Sequence, residues 1–229
     1  MKKYIIDTIL FFSRPFYSKK RYEVNVLEAK ANLGCGLHCL KGWENVDGSL
    51  TALFGSKKYN FINKALYKFA GSSAHYPFDY YNNVIQKIGL EFYDLRFGVP
   101  FQDSSLDVIY SSHFLEHLKK GDGRKFLEEC HRTLKSGGLM RIVVPDLDVA
   151  FKMYKDGRVE DMLDSFFYNS DHYDFHSHKY NYNFEYLKSI LSAIGFINIT
   201  KEKYQKGKCP GIDYLDIYPD ISLYIECKK

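Results

Sequence analysis

The residues of this chain best suited to chemistry stand at four places where a short apolar run gives way to polar groups. Gly34-Cys35-Gly36 follows the run that contains Ala29, Ala31 and Leu33. Glycines lack a Cβ, so such a turn can take strained angles, approach a ligand closely and offer N–H groups to its polar atoms. Asp47 closes Trp43-Glu44-Asn45-Val46, and a carboxylate there can accept two hydrogen bonds from a ribose diol. Asp94 follows Phe92-Tyr93, and Ser111-Ser112-His113 follows Val108-Ile109-Tyr110. The series reads as a nucleotide-type binding edge. Taken singly, the glycine pair is a tight turn, and Asp47 or Asp94 a helix cap or turn carboxylate. A nicotinamide site is disfavoured, because the third fingerprint glycine is missing, with Leu37-His38 following the glycine pair.

Positioning these groups on one edge requires buried parallel strands, and the apolar runs have the length for them. A fifth strand is predicted over Leu139–Val144, ended by Pro145-Asp146. Before it, a helix carries Phe126, Leu127, Cys130 and Leu134 on one face and stops at Lys135-Ser136-Gly137-Gly138. Alternation of strand and helix is the pattern of a parallel sheet with crossovers. Between Asp47 and Asp94 the chain is longer than one crossover needs, and residues 57–70 and 79–88 have helical apolar spacing. A helical insertion is therefore expected at about 55–89. Residues 147–168 read as one helix and 169–183 as a polar, aromatic loop. Asn183 is placed to cap a helix ending at Gly195, and the last two strands are expected at 196–200 and 221–226, joined by a long connection.

The 229 residues, 45 % hydrophobic, suffice for one domain with a real core. A net charge of +4 with scattered Lys and Arg does not call for a nucleic-acid partner. Five cysteines, an odd number with no Cys-x-x-Cys, indicate neither a disulfide framework nor a zinc knuckle, which fits a reducing cytoplasm. Tyr 20 and Phe 18 supply stacking surface for planar rings or sugars, though such richness also arises from composition alone. Residues 1–22 combine Ile5, Ile6, Ile9, Leu10, Phe12 and Phe16 with basic residues, the pattern of an amphipathic helix. It reads as a cap over the core ahead of a domain spanning 23–229, with peripheral membrane contact through residues 1–16 as the alternative.

The motifs NLGCG (32–36), NVDGS (45–49), YDLRFGVPFQDSSLDVIYSSHFLEHL (93–118) and RTLKSGGLMRIVVPDL (132–147) resemble class I S-adenosylmethionine-dependent methyltransferases. The similarity spans roughly residues 30–200 and is greatest to a small bacterial branch associated with surface-polysaccharide genes. It implies an α/β, Rossmann-like single domain: a mostly parallel central sheet with an antiparallel last strand and helices on both faces. It also implies S-adenosyl-L-methionine as cofactor. By the same resemblance Asn32, Leu33, Gly34, Cys35 and Gly36 bind the donor, with Gly34, Cys35 and Gly36 beside its methionine part. Asp47 takes the ribose, Asp94 and Leu95 meet adenine, and Ser111, Ser112 and His113 border the transferring methyl. Asn32 stands where many members have an acidic residue.

Methyl transfer mainly requires the acceptor to be held about 3 Å from the methyl carbon, with a base where the nucleophile is a neutral hydroxyl. His113 and His178 are the candidate bases. His117 is expected to pack or hydrogen-bond against the sheet. Asp171, His172, Asp174, His176 and His178 read as a lid over the acceptor or as a solvated loop; loop spacing defines no coordination geometry, and no metal is assigned. The expected activity is O-methylation of a sugar or lipid-linked saccharide in surface-glycan synthesis, in the cytoplasm or at the inner face of its membrane. A different small-molecule acceptor, or a catalytically silent donor-binding scaffold, is the alternative.

Overall fold

The computed structural model describes residues 8, 28–167 and 177–229. The expected N-terminal helix, and Asp171, His172, Asp174 and His176, lie outside the described residues. Seven strands, β1 (Lys30–Leu33), β2 (Glu44–Asp47), β3 (Glu91–Phe92), β4 (Leu106–Ser112), β5 (Leu134–Pro145), β6 (Ile197–Glu202) and β7 (Ser222–Lys228), form one sheet. Its order is β3-β2-β1-β4-β5-β7-β6. The first five pair in parallel, and β7 runs antiparallel to both β5 and β6. This is the mostly parallel sheet with an antiparallel last strand that the resemblance implied.

The strand order reverses between β1 and β4. In open α/β sheets that switch leaves a crevice outside the carboxyl ends of the two strands, where ligands bind. The turn after β1 and the segment after β4 are therefore the walls of the natural binding crevice. Parallel strands in the middle of the sheet are buried on both faces, which accounts for the unbroken apolar run Ile142, Val143 and Val144.

On one face, α4 (Lys120–Thr133) and α7 (Phe184–Ile194) pack Phe126, Leu127, Cys130, Leu187 and Leu191 into the main core. Each such buried apolar side chain contributes about 1.5–3 kcal/mol relative to exposure. Asn183 caps α7 by accepting from Tyr186 N at 3.1 Å, and Gly195 ends it with φ of 116°. The region between β2 and β3 holds α1 (Leu50–Phe54), α2 (Asn60–Phe69) and α3 (Phe78–Asn83), the last running on into a π-helical turn at Val84–Ile88.

Two local expectations are corrected. α4 stops at Thr133, and Leu134 already pairs with Leu106 as the first residue of β5, so it belongs to the sheet and not to the helix face. The glycines that follow absorb an irregularity in that pairing before Leu139 meets Val108. The stretch expected as one helix over 147–168 holds two among its described residues, α5 (Leu147–Lys155) and α6 (Val159–Phe167), separated where Gly157 takes a φ of 78°. The connection 203–221 contains a short helix, α8 (Ile212–Leu215).

That connection is fastened to the sheet by a buried ionic cluster. Arg141, in β5 and fully buried, donates Nε and Nη2 to Asp216 at 2.9 and 2.5 Å and Nη1 to Glu226 at 3.0 Å. Its remaining donor capacity goes to the carbonyls of Lys203 and Lys206. Among the described residues no helix is long and apolar enough to cross a membrane.

Candidate functional site

The glycine turn leaves β1 with Gly34 and Gly36 at φ of 70° and 53°. The two glycines serve different needs. A Cβ on Gly34 would overlap the Phe114 ring, so this position is kept bare to let the segment after β4 pack against the turn. Nothing lies within 4 Å of where a Cβ on Gly36 would stand, so its backbone faces open space. Asp47 Oδ2 accepts from Gly36 N at 2.9 Å, while Oδ1 accepts from Ser49 N at 2.8 Å. The carboxylate thus braces the turn from the end of the adjacent strand.

Asn32 is buried and donates to His38 O at 2.9 Å, stapling the far side of the same turn, with Asn45 Oδ1 at 3.3 Å. Leu33 points into the core, and its carbonyl accepts from Ser111 Oγ at 2.9 Å, tying β1 to β4. Burial first, and then Cys39 beside it, push the Cys35 thiol well up, which disfavours a thiolate nucleophile. Asp94 caps the turn Leu95–Phe97 by accepting from Arg96 N at 3.2 Å, and its side chain pairs with the Arg96 guanidinium at 2.8 and 2.6 Å. Leu95 is buried in the main core. Ser112 Oγ is buried and has no hydrogen-bond partner among the described residues.

The expected donor residues therefore share the carboxyl edge of β1, β2 and β4 or the turn just past β3. The geometry fits a nucleotide-like ligand in two respects: an open, left-handed backbone at Gly36 flanked by a strand-end carboxylate, and an orphaned hydroxyl at the end of β4. An aromatic rim adjoins them. The His38 ring stacks on Tyr214 at 4.5 Å, Tyr80 donates to Leu37 O at 3.0 Å, and exposed Tyr218 sets its ring edgewise to His113 at 4.9 Å.

The segment after β4 holds a second constellation. His113 has a φ of 49°, a strained conformation for a non-glycine residue. Its Nε2 meets Ser222 Oγ at 2.9 Å, and its Nδ1 lies 3.2 Å from Glu116 Oε1. Glu116 is completely buried, and neither of its oxygens has a hydrogen bond of good geometry among the described residues. Burial would push this carboxyl up, but His113 and then His117 outweigh it and hold the group below the usual carboxylate range.

His178 is brought to the same point from 62 residues further along the chain, its Nε2 4.0 Å from Glu116 Oε1. Burial holds the His178 imidazole below its ordinary value, against the opposing pull of Glu116. His117 turns to this segment rather than to the sheet: its Nδ1 meets Ser177 O at 3.2 Å, and its ring lies 5.2 Å from that of His178. Sequence reasoning did not single out Glu116. The available signal was His113-x-x-Glu116-His117, in which residues three and four apart share one side of a helical turn.

A family model described as a methyltransferase domain matches residues 76–142, which run from the insertion through β4 and α4 into the second half of β5. Two solved structures illustrate the similarity in fold. A methyltransferase from Thermotoga maritima, described as S-adenosylmethionine-dependent and a possible histamine N-methyltransferase, is 11 % identical with a TM-score of 0.51. The alignment covers 100 % of this chain and 97 % of that one. An S-adenosylmethionine-dependent methyltransferase from Mesorhizobium loti is 16 % identical with a TM-score of 0.50, covering 90 % of this chain and 94 % of that one. No curated protein matches the sequence. The architecture is thus the Rossmann-like fold these methyltransferases share, and the matched segment is similar to a methyltransferase domain.

Proposed function

We propose that the protein is an S-adenosylmethionine-dependent methyltransferase that methylates a hydroxyl of a sugar or lipid-linked saccharide in surface-glycan synthesis, acting in the cytoplasm or at the inner face of its membrane. Residues 23–229 are its catalytic domain, and residues 1–22 cap that domain or rest on the membrane surface. The single observation that carries the reading is the meeting of the Gly34-to-Gly36 turn with the Ser111-to-His113 segment across the β1/β4 switch, where the Phe114 ring fills the space over Gly34. The methyltransferase-domain match over 76–142 supports the same reading.

S-adenosylmethionine supplies a methyl group already activated on a sulfonium. Asp47 binds the ribose diol, the open backbone face at Gly36 lies against the methionine end, and Asp94 with Leu95 borders the adenine. His113 takes the proton from the acceptor hydroxyl at Nε2, exchanging its Ser222 partner for the acceptor. Its Nδ1 faces Glu116, so a positive imidazole is stabilised as it forms, the arrangement of a base oriented by a carboxylate. His178 acts through Glu116 as a positioning residue. Exposed Tyr218 offers an apolar ring face beside His113, as sugar recognition requires.

The test is transfer of a labelled methyl group from S-adenosylmethionine to a panel of nucleotide sugars and lipid-linked saccharides. His113→Ala should lower kcat by about 10²–10⁴ with donor affinity retained. Turnover left intact by alanine at both His113 and His178 rules out the base assignment. Transfer to small molecules but to no saccharide rules out the acceptor class.

A further inference from the structure

Glu116 poses a problem that methyl transfer alone does not answer. A completely buried carboxylate should be hydrogen-bonded, because an ionised oxygen removed from water without partners is expensive. Among the described residues both Glu116 oxygens lack such partners. Three imidazoles surround them instead, with ring nitrogens at 3.2, 4.0 and 4.0 Å from Oε1.

Two of those imidazoles are oriented as metal ligands are. The Nδ1 atoms of His117 and His178 each face a backbone carbonyl, Ser177 O at 3.2 Å and Ser165 O at 2.7 Å. A ring nitrogen opposite a carbonyl carries the proton, so the tautomer is fixed and the Nε2 lone pair is directed the other way, toward Glu116. The backbone secures this arrangement: Glu116 O accepts from Lys179 N at 2.7 Å and Tyr180 N at 3.1 Å, locking the 177–180 segment onto the turn that carries Glu116 and His117.

We propose that Glu116, His117 and His178 form a binding site for a divalent transition-metal ion. One ligand atom from each lies within 4.8 Å of the others. Metal–ligand bonds of about 2.0–2.2 Å put neighbouring ligands roughly 3–3.5 Å apart, so small side-chain rotations close the site. Two imidazoles and one carboxylate suit zinc, manganese, iron(II) or cobalt(II) and disfavour magnesium, which prefers oxygen donors and retained water. Three protein ligands leave positions for exogenous oxygens, the arrangement of catalytic rather than structural sites. Such an ion would bind the acceptor hydroxyl and lower its pKa beside His113. That last role rests on the methyl-transfer reading; the metal site does not.

The experiment uses the full-length protein, stripped with a chelator and titrated with cobalt(II) while its visible d–d absorption is followed. The expected result is a saturable, stoichiometric spectrum displaced by zinc(II) and indifferent to excess magnesium. Glu116→Gln and His117→Ala should each weaken cobalt binding at least tenfold, and both variants should still titrate with S-adenosylmethionine, which shows them folded. No stoichiometric cobalt spectrum from the unsubstituted protein overturns the proposal, whatever the variants do. Cobalt binding unchanged by both substitutions also overturns it, since the ion then sits elsewhere. Cobalt bound without any donor binding would remove the methyl-transfer reading and leave the metal site standing.

Discussion

Among the described residues, Arg141, Asp216 and Glu226 make one buried ionic cluster, and Glu116 with His113, His117 and His178 makes a second. In the first, every charge is answered by direction as well as by sign. Glu226 accepts from Arg141 Nη1 at 3.0 Å and from the backbone of Lys208 and Cys209 at 2.8 and 2.9 Å. Asp216 takes two bonds from Arg141 and one from Gln205 N at 2.8 Å. The task there is structural, holding the 203–216 connection against β5 and β7. In the second cluster the imidazoles attract the carboxylate by charge, yet neither oxygen receives a well-directed hydrogen bond among the described residues. Saturated polar groups rigidify a fold; unsaturated ones, kept despite their cost, are available to a ligand.

Substitution can break the comparison. Arg141→Met leaves Asp216 and Glu226 buried without their counter-charge and should destabilise the protein by about 3–5 kcal/mol in denaturant unfolding. Glu226→Gln keeps the shape but weakens charge-assisted bonds from Arg141 and two backbone donors, and should cost about 2 kcal/mol by the same measurement. Glu116→Gln is the matched change in the other cluster. With no well-directed hydrogen bond to lose, it should cost less than about 1 kcal/mol in chelator-treated protein. If Glu116→Gln proved as damaging as Glu226→Gln, Glu116 would be a structural carboxylate and the contrast would fail.

The two glycines of the turn sharpen the contrast on a smaller scale. Gly34→Ala meets both the left-handed backbone and the Phe114 ring, whereas Gly36→Ala meets only the former. Unfolding should register Gly34→Ala as the more damaging by about 1 kcal/mol or more, while Gly36→Ala acts chiefly on donor affinity.

Local pattern carried much of this architecture. Strands β4 and β5 hold the apolar runs Val108-Ile109-Tyr110 and Ile142-Val143-Val144, ending in serine and proline, and burial on both faces of a parallel sheet imposes such runs directly. Asn183 and Gly195 were readable as the ends of α7 because capping chemistry is local. What was not legible depends on partners distant in sequence. Leu134 has the spacing of a helix residue, but Leu106 claims it for the sheet. The break at Gly157 looks like a tolerated glycine until its left-handed backbone is seen. Arg141 in a central strand reads as an anomaly in sequence, because Asp216 and Glu226 lie 75 and 85 residues away. Glu116 is silent in the sequence for the same reason. Its meaning comes from His178, which only the docking of the 177–180 segment brings near.

Calorimetric titration of the full-length protein with S-adenosylmethionine, and separately with NAD, tests the donor site most directly. Saturable binding of S-adenosylmethionine alone is the expected result, weakened at least about tenfold by Asp47→Ala through loss of hydrogen bonds to a charged group. No binding, or an affinity that Asp47→Ala leaves unchanged, would contradict the assignment of this strand edge as the donor cradle.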